Sequence, residues 1–228
     1  MRQIDRQTGG QDHIRLAGLV VTILSACLPV HLSAQAPDAA AILSRAASVY
    51  SAAGSLEADF RQVIADENIG TFRSRGRLAQ QGADKFAMRF TDPSGEALVM
   101  DGTRLWVYTP STTPGQVIRM AQPTGPGAPN LVAWLLDRPT ERYGARWLSA
   151  DTTHGTDLLA LTPRDSTLPF RAAVVSFARA DGLPRRIEIT ERGGAKRTLT
   201  LTRVRSGRKI PVRVFRFDVP RGVRVVDQ

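Results

Sequence analysis

The chain has 228 residues, 42% of them hydrophobic, a single cysteine and a formal net charge of +10. These values exclude a low-complexity disordered chain and an internal disulfide framework, and they fit one domain of ordinary size once a leader is removed. The basic residues alternate with apolar ones along strand-like segments, which is the pattern of a solvated sheet face and argues against a nucleic-acid binder.

The first element is a leader. Arg15 precedes the apolar run LAGLVVTILSACLPVHL, residues 16–32, which Pro29 and His31 interrupt. A membrane span needs about 20 apolar residues, so this length suits the core of a secretion signal, and residues 1–36 read as a signal peptide. Two processing routes are open. Ala34-Gln35-Ala36 is an A-x-A-like cleavage site that would release a periplasmic protein, although Pro37 follows it directly. Leu24-Ser25-Ala26-Cys27 resembles a bacterial lipobox, in which Cys27 would carry a lipid anchor.

Residues 37–228 read as one domain. Asp38 is placed to cap a helix in which Ile42, Leu43, Ala46, Val49, Tyr50 and Ala53 recur at helical spacing, with Gly54 closing it. The period then changes to two. In SLEADFRQV (55–63), Leu56, Ala58 and Phe60 share one face, while Glu57, Asp59 and Arg61 share the other. GTFRSRGRLAQ (70–80) is the next strand, with Gly76 as a bulge or bend. KFAMRFT (85–91) places Phe86, Met88 and Phe90 together, and Asp92-Pro93-Ser94-Gly95 is a turn. In LVMDGTRLWVYTP (98–110), Asp101-Gly102 supplies the positive φ angles of a tight hairpin.

The stretch AQPTGPGAPN (121–130) is a loop rich in proline and glycine. NLVAWLLD (130–137) then reads as a short helix, capped by Asn130, apolar nearly all round and stopped by Pro139. The remaining segments DLLALTP, RAAVVSFAR, LPRRIEITER, RTLTLTRVR and VRVFRFDVP all read as strands, spaced about ten residues apart as in an antiparallel barrel or sandwich. The expected fold is mainly β (α+β by content). It is an unclosed antiparallel half-barrel of about ten to eleven strands, covered by the N-terminal helix and the inserted helix.

Catalytic signals are missing. His13 and His31 fall in the leader region, which leaves His154 in the polar loop DTTHGT. There is no nucleophile elbow, no H-E-x-x-H and no phosphate loop, and no clustered ligands suggest a metal or cofactor. The sequence does supply apolar surface. Phe60, Phe86, Met88, Phe90, Leu98, Trp106, Leu131, Trp134 and Leu135 are the candidates. By residue type alone they could fill a dry core or line a cavity for an apolar ligand.

LEADFRQV (56–63), the hairpin at 98–110 and the ending FRFDVPRGVRVVDQ (215–228) together resemble the LolA family of periplasmic outer-membrane lipoprotein carriers, in order and spacing. The resemblance implies a hydrophobic cavity under a helical lid, with Phe86, Met88 and Phe90 on a cavity strand and Leu131 and Trp134 on the lid. It implies a non-enzymatic monomer. Such a carrier takes acylated lipoproteins from an inner-membrane ABC transporter and passes them to an outer-membrane receptor. Family members can carry an arginine that holds the lid shut. That position falls at Gly82 here, with Arg77 and Lys85 nearby as substitutes. A lipid-anchored acceptor of the same fold, modified at Cys27, and an envelope-stress sensor domain are the alternative readings.

Overall fold

The computed structural model describes residues 36–125 and 128–228. The signal-peptide and lipobox readings, Cys27 included, lie outside the described residues. Ala36–Gln228 form one compact unit.

The chain opens with helix α1, Ala39–Ala53. Asp38 caps it by accepting hydrogen bonds from the amides of Ala40 and Ala41 at 2.9 and 3.3 Å. Gly54 ends it at φ 64°, a left-handed conformation that glycine adopts without the steric penalty of a side chain. Ala39, Leu43 and Ala46 form its buried stripe.

Five strands then follow one another: β1 (Ser55–Asp66), β2 (Gly70–Gln81), β3 (Lys85–Asp92), β4 (Ser94–Asp101) and β5 (Arg104–Tyr108). β6 is Gln116–Ala121. After two short helices, α2 (Leu131–Leu136) and α3 (Pro139–Arg142), come β7 (Tyr143–Asp151), β8 (Thr156–Pro163), β9 (Phe170–Ala178), β10 (Pro184–Glu191) and β11 (Lys196–Ser206). β12 (Arg224–Asp227) ends the chain.

All twelve strands form one unclosed sheet in the order β12-β6-β5-β4-β3-β2-β1-β11-β10-β9-β8-β7. Each neighbouring pair is antiparallel except β12 with β6, which is parallel. The two long stretches of meander meet where β1 pairs with β11. That pairing joins the two runs of local hairpins into one open barrel wall.

Four expectations need correction. The sheet has twelve strands, because QVIRMA, YGARWLSAD and the terminal RVVD, which fall outside the expected strands, also pair. VRVFRFDVP is not a strand. Val212–Phe215 forms a 3-10 turn after Pro211, and the chain then runs as an irregular strap to Pro220. Proline at both ends leaves no amide there for a ladder. Pro139 does not simply stop α2, since it occupies the first turn of α3, where its missing amide costs nothing. Asp137 and Arg138 separate the two helices, and Arg138 turns the chain in a left-handed conformation at φ 45°. The fourth correction concerns Trp106 and is described with the site.

Gly76 marks a register shift between β2 and β3. A Cβ there would lie 2.1 Å from the carbonyl oxygen of Arg89, so only glycine lets the two strands approach this closely. A second bulge interrupts the β1–β11 ladder between Glu57 and Asp59, and opposite it Arg203 adopts φ 51° and pairs with Asp59.

Candidate functional site

Strand alternation sorts the apolar side chains into two clusters on opposite faces of the sheet. The inner cluster contains Leu56 and Phe60 of β1, Leu78 of β2, Phe86 and Met88 of β3, Met100 of β4 and Leu105 of β5, with Leu199 and Leu201 of β11 and Ile187 and Ile189 of β10. Helices α1 and α2 lie on this face. Leu43 and Leu135, one from each helix, are fully buried. The helices fill the inner face rather than standing away from it.

Eight of the nine residues singled out from the sequence converge here. Phe60, Phe86, Met88, Leu131, Trp134 and Leu135 are buried members of the inner cluster, and Phe90 and Leu98 pack against it. Phe60 and Phe90 meet edge to face with ring centroids 5.2 Å apart. Trp134 leans on Phe170 at 5.7 Å, and its indole nitrogen donates to the carbonyl of Ala128 at 3.1 Å.

Trp106 is the exception. The hairpin register pairs Val99 with Trp106 and Leu98 with Val107, so Trp106 shares the outer face with Val99. There it stacks on Phe217 of the C-terminal strap at 5.6 Å, donates to Asp101 at 2.9 Å and lies under the Arg119 guanidinium at 5.5 Å. Ala79, Ala87, Ala97 and Val99 form the floor on which Ile210 and Phe215, at the 3-10 turn that leads into the strap, sit. Small residues on the floor let the strap come close. The inner-face residues missed from this hairpin are Met100, Leu105 and Val107. The same two-residue period would have identified them, had register been followed instead of side-chain size.

The cover is tied down by neutral polar groups. Gln80 faces inward on β2 and is buried. Its Oε1 accepts a hydrogen bond from the Tyr50 hydroxyl of α1, and its Nε2 donates to the carbonyl of Gly82 at 2.9 Å. The Gly82 amide donates to the carbonyl of Gly54 at the end of α1, at 2.8 Å. Burial pushes the Tyr50 phenol well above its ordinary pKa, so this tie is uncharged at any working pH. Neither candidate substitute for the missing arginine plays that part. Arg77 pairs across the ladder with Asp59, and Lys85 with Gln81, both on the outer face.

Two polar atoms are left over at the ends of the cover. Asn130 caps α2 by accepting from the amide of Ala133 at 3.3 Å, but its Nδ2 is buried with no hydrogen-bond partner among the described residues. The Tyr143 hydroxyl, just after α3, is likewise buried and unpaired, and burial pushes its pKa up to about 12. Arg142 of α3 pairs with Asp137 at 2.7 Å and bonds the carbonyl of Trp134 at 3.4 Å, closing α2 against α3. A groove of about 760 Å³ runs between α1, the β2–β3 turn and the α2–α3 corner, and a smaller one of about 220 Å³ opens beside Leu131 and Trp134.

The family model for the outer membrane lipoprotein carrier protein LolA matches residues 51–218, from the end of α1 to the strap. The chain belongs to the LolA family. An outer-membrane lipoprotein carrier protein of Alkalilimnicola ehrlichii is 26% identical over 215 residues, covering 94% of this chain and 96% of its own. One from Chromobacterium violaceum is 26% identical over 191 residues, covering 84% and 90%. Among solved structures, an uncharacterized conserved protein of Thermus thermophilus is similar with a TM-score of 0.52 and 15% identity, covering 82% of this chain and 98% of that one. That similarity shows a shared fold. No helix among the described residues is long and apolar enough to cross a membrane.

Proposed function

We propose that this protein is a non-enzymatic periplasmic carrier that buries the acyl chains of lipoproteins against the inner face of its sheet, after α2 and the adjoining end of α1 swing away. The observation that carries this reading is the cover itself. Five of the six residues of α2, Leu131, Val132, Trp134, Leu135 and Leu136, are buried in one cluster with the wall. The helix is too short to be stable without that contact. A helix of this kind occupies the apolar face as a ligand would.

The energies of exchange are well matched. Burying five large apolar side chains contributes about 1.5–3 kcal/mol each, or roughly 8–15 kcal/mol in total. A long acyl chain contributes about 0.8 kcal/mol per methylene, roughly 10–12 kcal/mol per chain. A chain that replaces the cover is therefore held without being trapped. Cargo reaches such a carrier from an inner-membrane ABC transporter and leaves it at an outer-membrane receptor.

The test is mass spectrometry of lipid and lipopeptide extracted from the protein purified from its native envelope, in a Cys27→Ser form that cannot acquire its own anchor. Co-purifying acylated N-terminal peptides are expected. A preparation free of acyl material, together with failure to take up a purified lipopeptide, would sink the proposal. The Leu24-Ser25-Ala26-Cys27 sequence supports a second reading, a tethered acceptor. Palmitate incorporation that disappears in Cys27→Ser selects it.

A further inference from the structure

The outer face of the sheet holds a groove of its own, on the side away from the cover. Its volume is about 590 Å³, within the size range of ligand sites. Ala79 of β2 and Ala87 of β3, directly paired in the ladder, lie at its floor. Arginines rim it: Arg77 of β2, Arg89 of β3, and Arg203 and Arg205 of β11, all exposed. Two carboxylates share the groove, Glu57 opposite Arg205 and Asp59 opposite Arg77. Four arginines less two carboxylates leave a surplus of two positive charges. Arg203 takes Asp59 in an ion pair, whereas among the described residues Arg77 and Arg205 form none.

Folding alone does not favour this arrangement. The register sets Arg77 directly opposite Arg89 and, beside the groove, Arg75 directly opposite Arg61. Like charges facing each other across a ladder destabilise a sheet. Arg89 shows one use of such a side chain. It donates to the carbonyls of Val214 and Arg216 at 3.3 and 2.7 Å, and so holds a stretch of irregular chain against the outer face. Arg77 presents the same group on the neighbouring strand, and among the described residues it makes no hydrogen bond to that chain.

From this juxtaposition we infer that the outer groove docks an extended acidic segment of a partner protein, with its carboxylates on Arg77 and Arg205 and its backbone over Ala79 and Ala87. A guanidinium pairs with a carboxylate through two parallel hydrogen bonds, which fixes orientation as well as charge. An extended chain places alternate side chains about 7 Å apart on one side, the same repeat that separates Arg75 from Arg77 along β2. A bilayer surface is flat and would rest on the rim without entering the groove. A partner held here leaves the inner face and its cover free. The inference stands on this face alone and does not rest on the carrier reading.

The experiment is fluorescence anisotropy of the Cys27→Ser protein with a fluorescein-labelled peptide of alternating glutamate and threonine, and with its counterpart in which glutamine replaces glutamate. Binding of the glutamate peptide only, weakening as salt rises, is expected. Arg77→Ser combined with Arg205→Ser should bind that peptide at least about ten-fold less tightly, because it loses two charge-assisted pairs. Arg146→Ser combined with Arg171→Ser removes the same charge from exposed positions on β7 and β9, and should stay within about two-fold of the parent. The groove variant should keep the parent's thermal midpoint, since Arg77 loses one like-charged and one opposite-charged neighbour together. Equal binding of the two peptides, no binding of either, or equal losses in the two double variants overturns the inference. So does displacement of the peptide by vesicles of phosphatidylcholine and phosphatidylglycerol that bind the parent but not the groove variant, which would assign the face to a membrane. The measurement contains no cargo, so its failure leaves the carrier reading standing, and a failure of cargo capture leaves this inference standing.

Discussion

Replacing Leu135 with alanine separates a removable cover from an obligate core. Leu135 is fully buried in α2 against the inner cluster. Truncating a buried leucine costs about 2–5 kcal/mol, through lost transfer energy and the cavity left behind. If α2 competes with acyl chains for the same face, that cost falls on the closed state alone. Apparent affinity scales with the fraction of protein that is open, so raising the closed state by about 2 kcal/mol raises the open fraction about thirty-fold while it remains small. A fluorescent fatty-acyl probe titrated into Leu135→Ala should therefore bind about thirty-fold tighter than to the parent. For the same cost of about 2 kcal/mol the thermal midpoint should fall by roughly 4–8 °C for a domain of this size. Val99→Ala is the control, since Val99 is equally buried but lies in the outer cluster. It should lower the midpoint and leave probe affinity where it was. Unchanged probe affinity in Leu135→Ala, or equal tightening in both variants, would refute the competition between cover and cargo.

Tyr50→Phe leaves Gln80 Oε1 without its donor and should cost about 1–3 kcal/mol in denaturant unfolding. Adding Gln80→Leu should recover part of that loss, with a coupling of about 0.5–3 kcal/mol between the two sites; strict additivity would show that the two groups do not act as a tie. Trp106→Ala should destabilise the fold by no more than about 3 kcal/mol, through the lost contact with Phe217, and should not change probe binding, because its side chain is on the outer face. Gly76→Ala should be among the most damaging single substitutions, costing more than about 3 kcal/mol or abolishing soluble expression, because the new Cβ meets the Arg89 carbonyl. A normal melting curve for Gly76→Ala would show that the β2–β3 approach is looser than described.

Local chemistry is the most legible part of the sequence. Asp38, Gly54 and Asn130 act as the caps their residue types indicate, and Asp101-Gly102 makes its hairpin, because each depends on a few neighbouring backbone groups. The alternation in SLEADFRQV and KFAMRFT sorts Phe60, Phe86, Met88 and Phe90 onto the covered face for the same reason. What the sequence hides depends on distant partners. Size alone places Trp106 among the inner residues, whereas its face is fixed by its register with Val99 and its packing by Phe217, more than a hundred residues later. VRVFRFDVP alternates well enough for a strand, but β5 already has β6 as its neighbour and the segment lies across the sheet instead. The tie at Gln80 carries no sequence signal at all. A glutamine in a strand reads as solvated until the fold brings a tyrosine hydroxyl to it.

In the proposed mechanism the two faces of the sheet would let the cover leave without unfolding the protein. Opening α2 removes apolar burial from the inner face only. The outer cluster, the strap across it and the paired Arg119 and Asp227, at 2.6 and 2.7 Å, do not involve the cover. The strand ladder also stays intact, because α2 and α3 contribute no strand. The proposed transition would then be a local opening, with a free energy below that of global unfolding. The closed state is itself imperfect. Among the described residues, Asn130 Nδ2 and the Tyr143 hydroxyl are buried at the ends of the cover without a well-formed hydrogen bond, and a buried polar group left so costs up to about 1–3 kcal/mol that exposure to water would return. Those penalties offset part of the roughly 8–15 kcal/mol gained by burying the α2 side chains. Under the proposed exchange they would move the balance toward the value at which one acyl chain is enough to displace the helix.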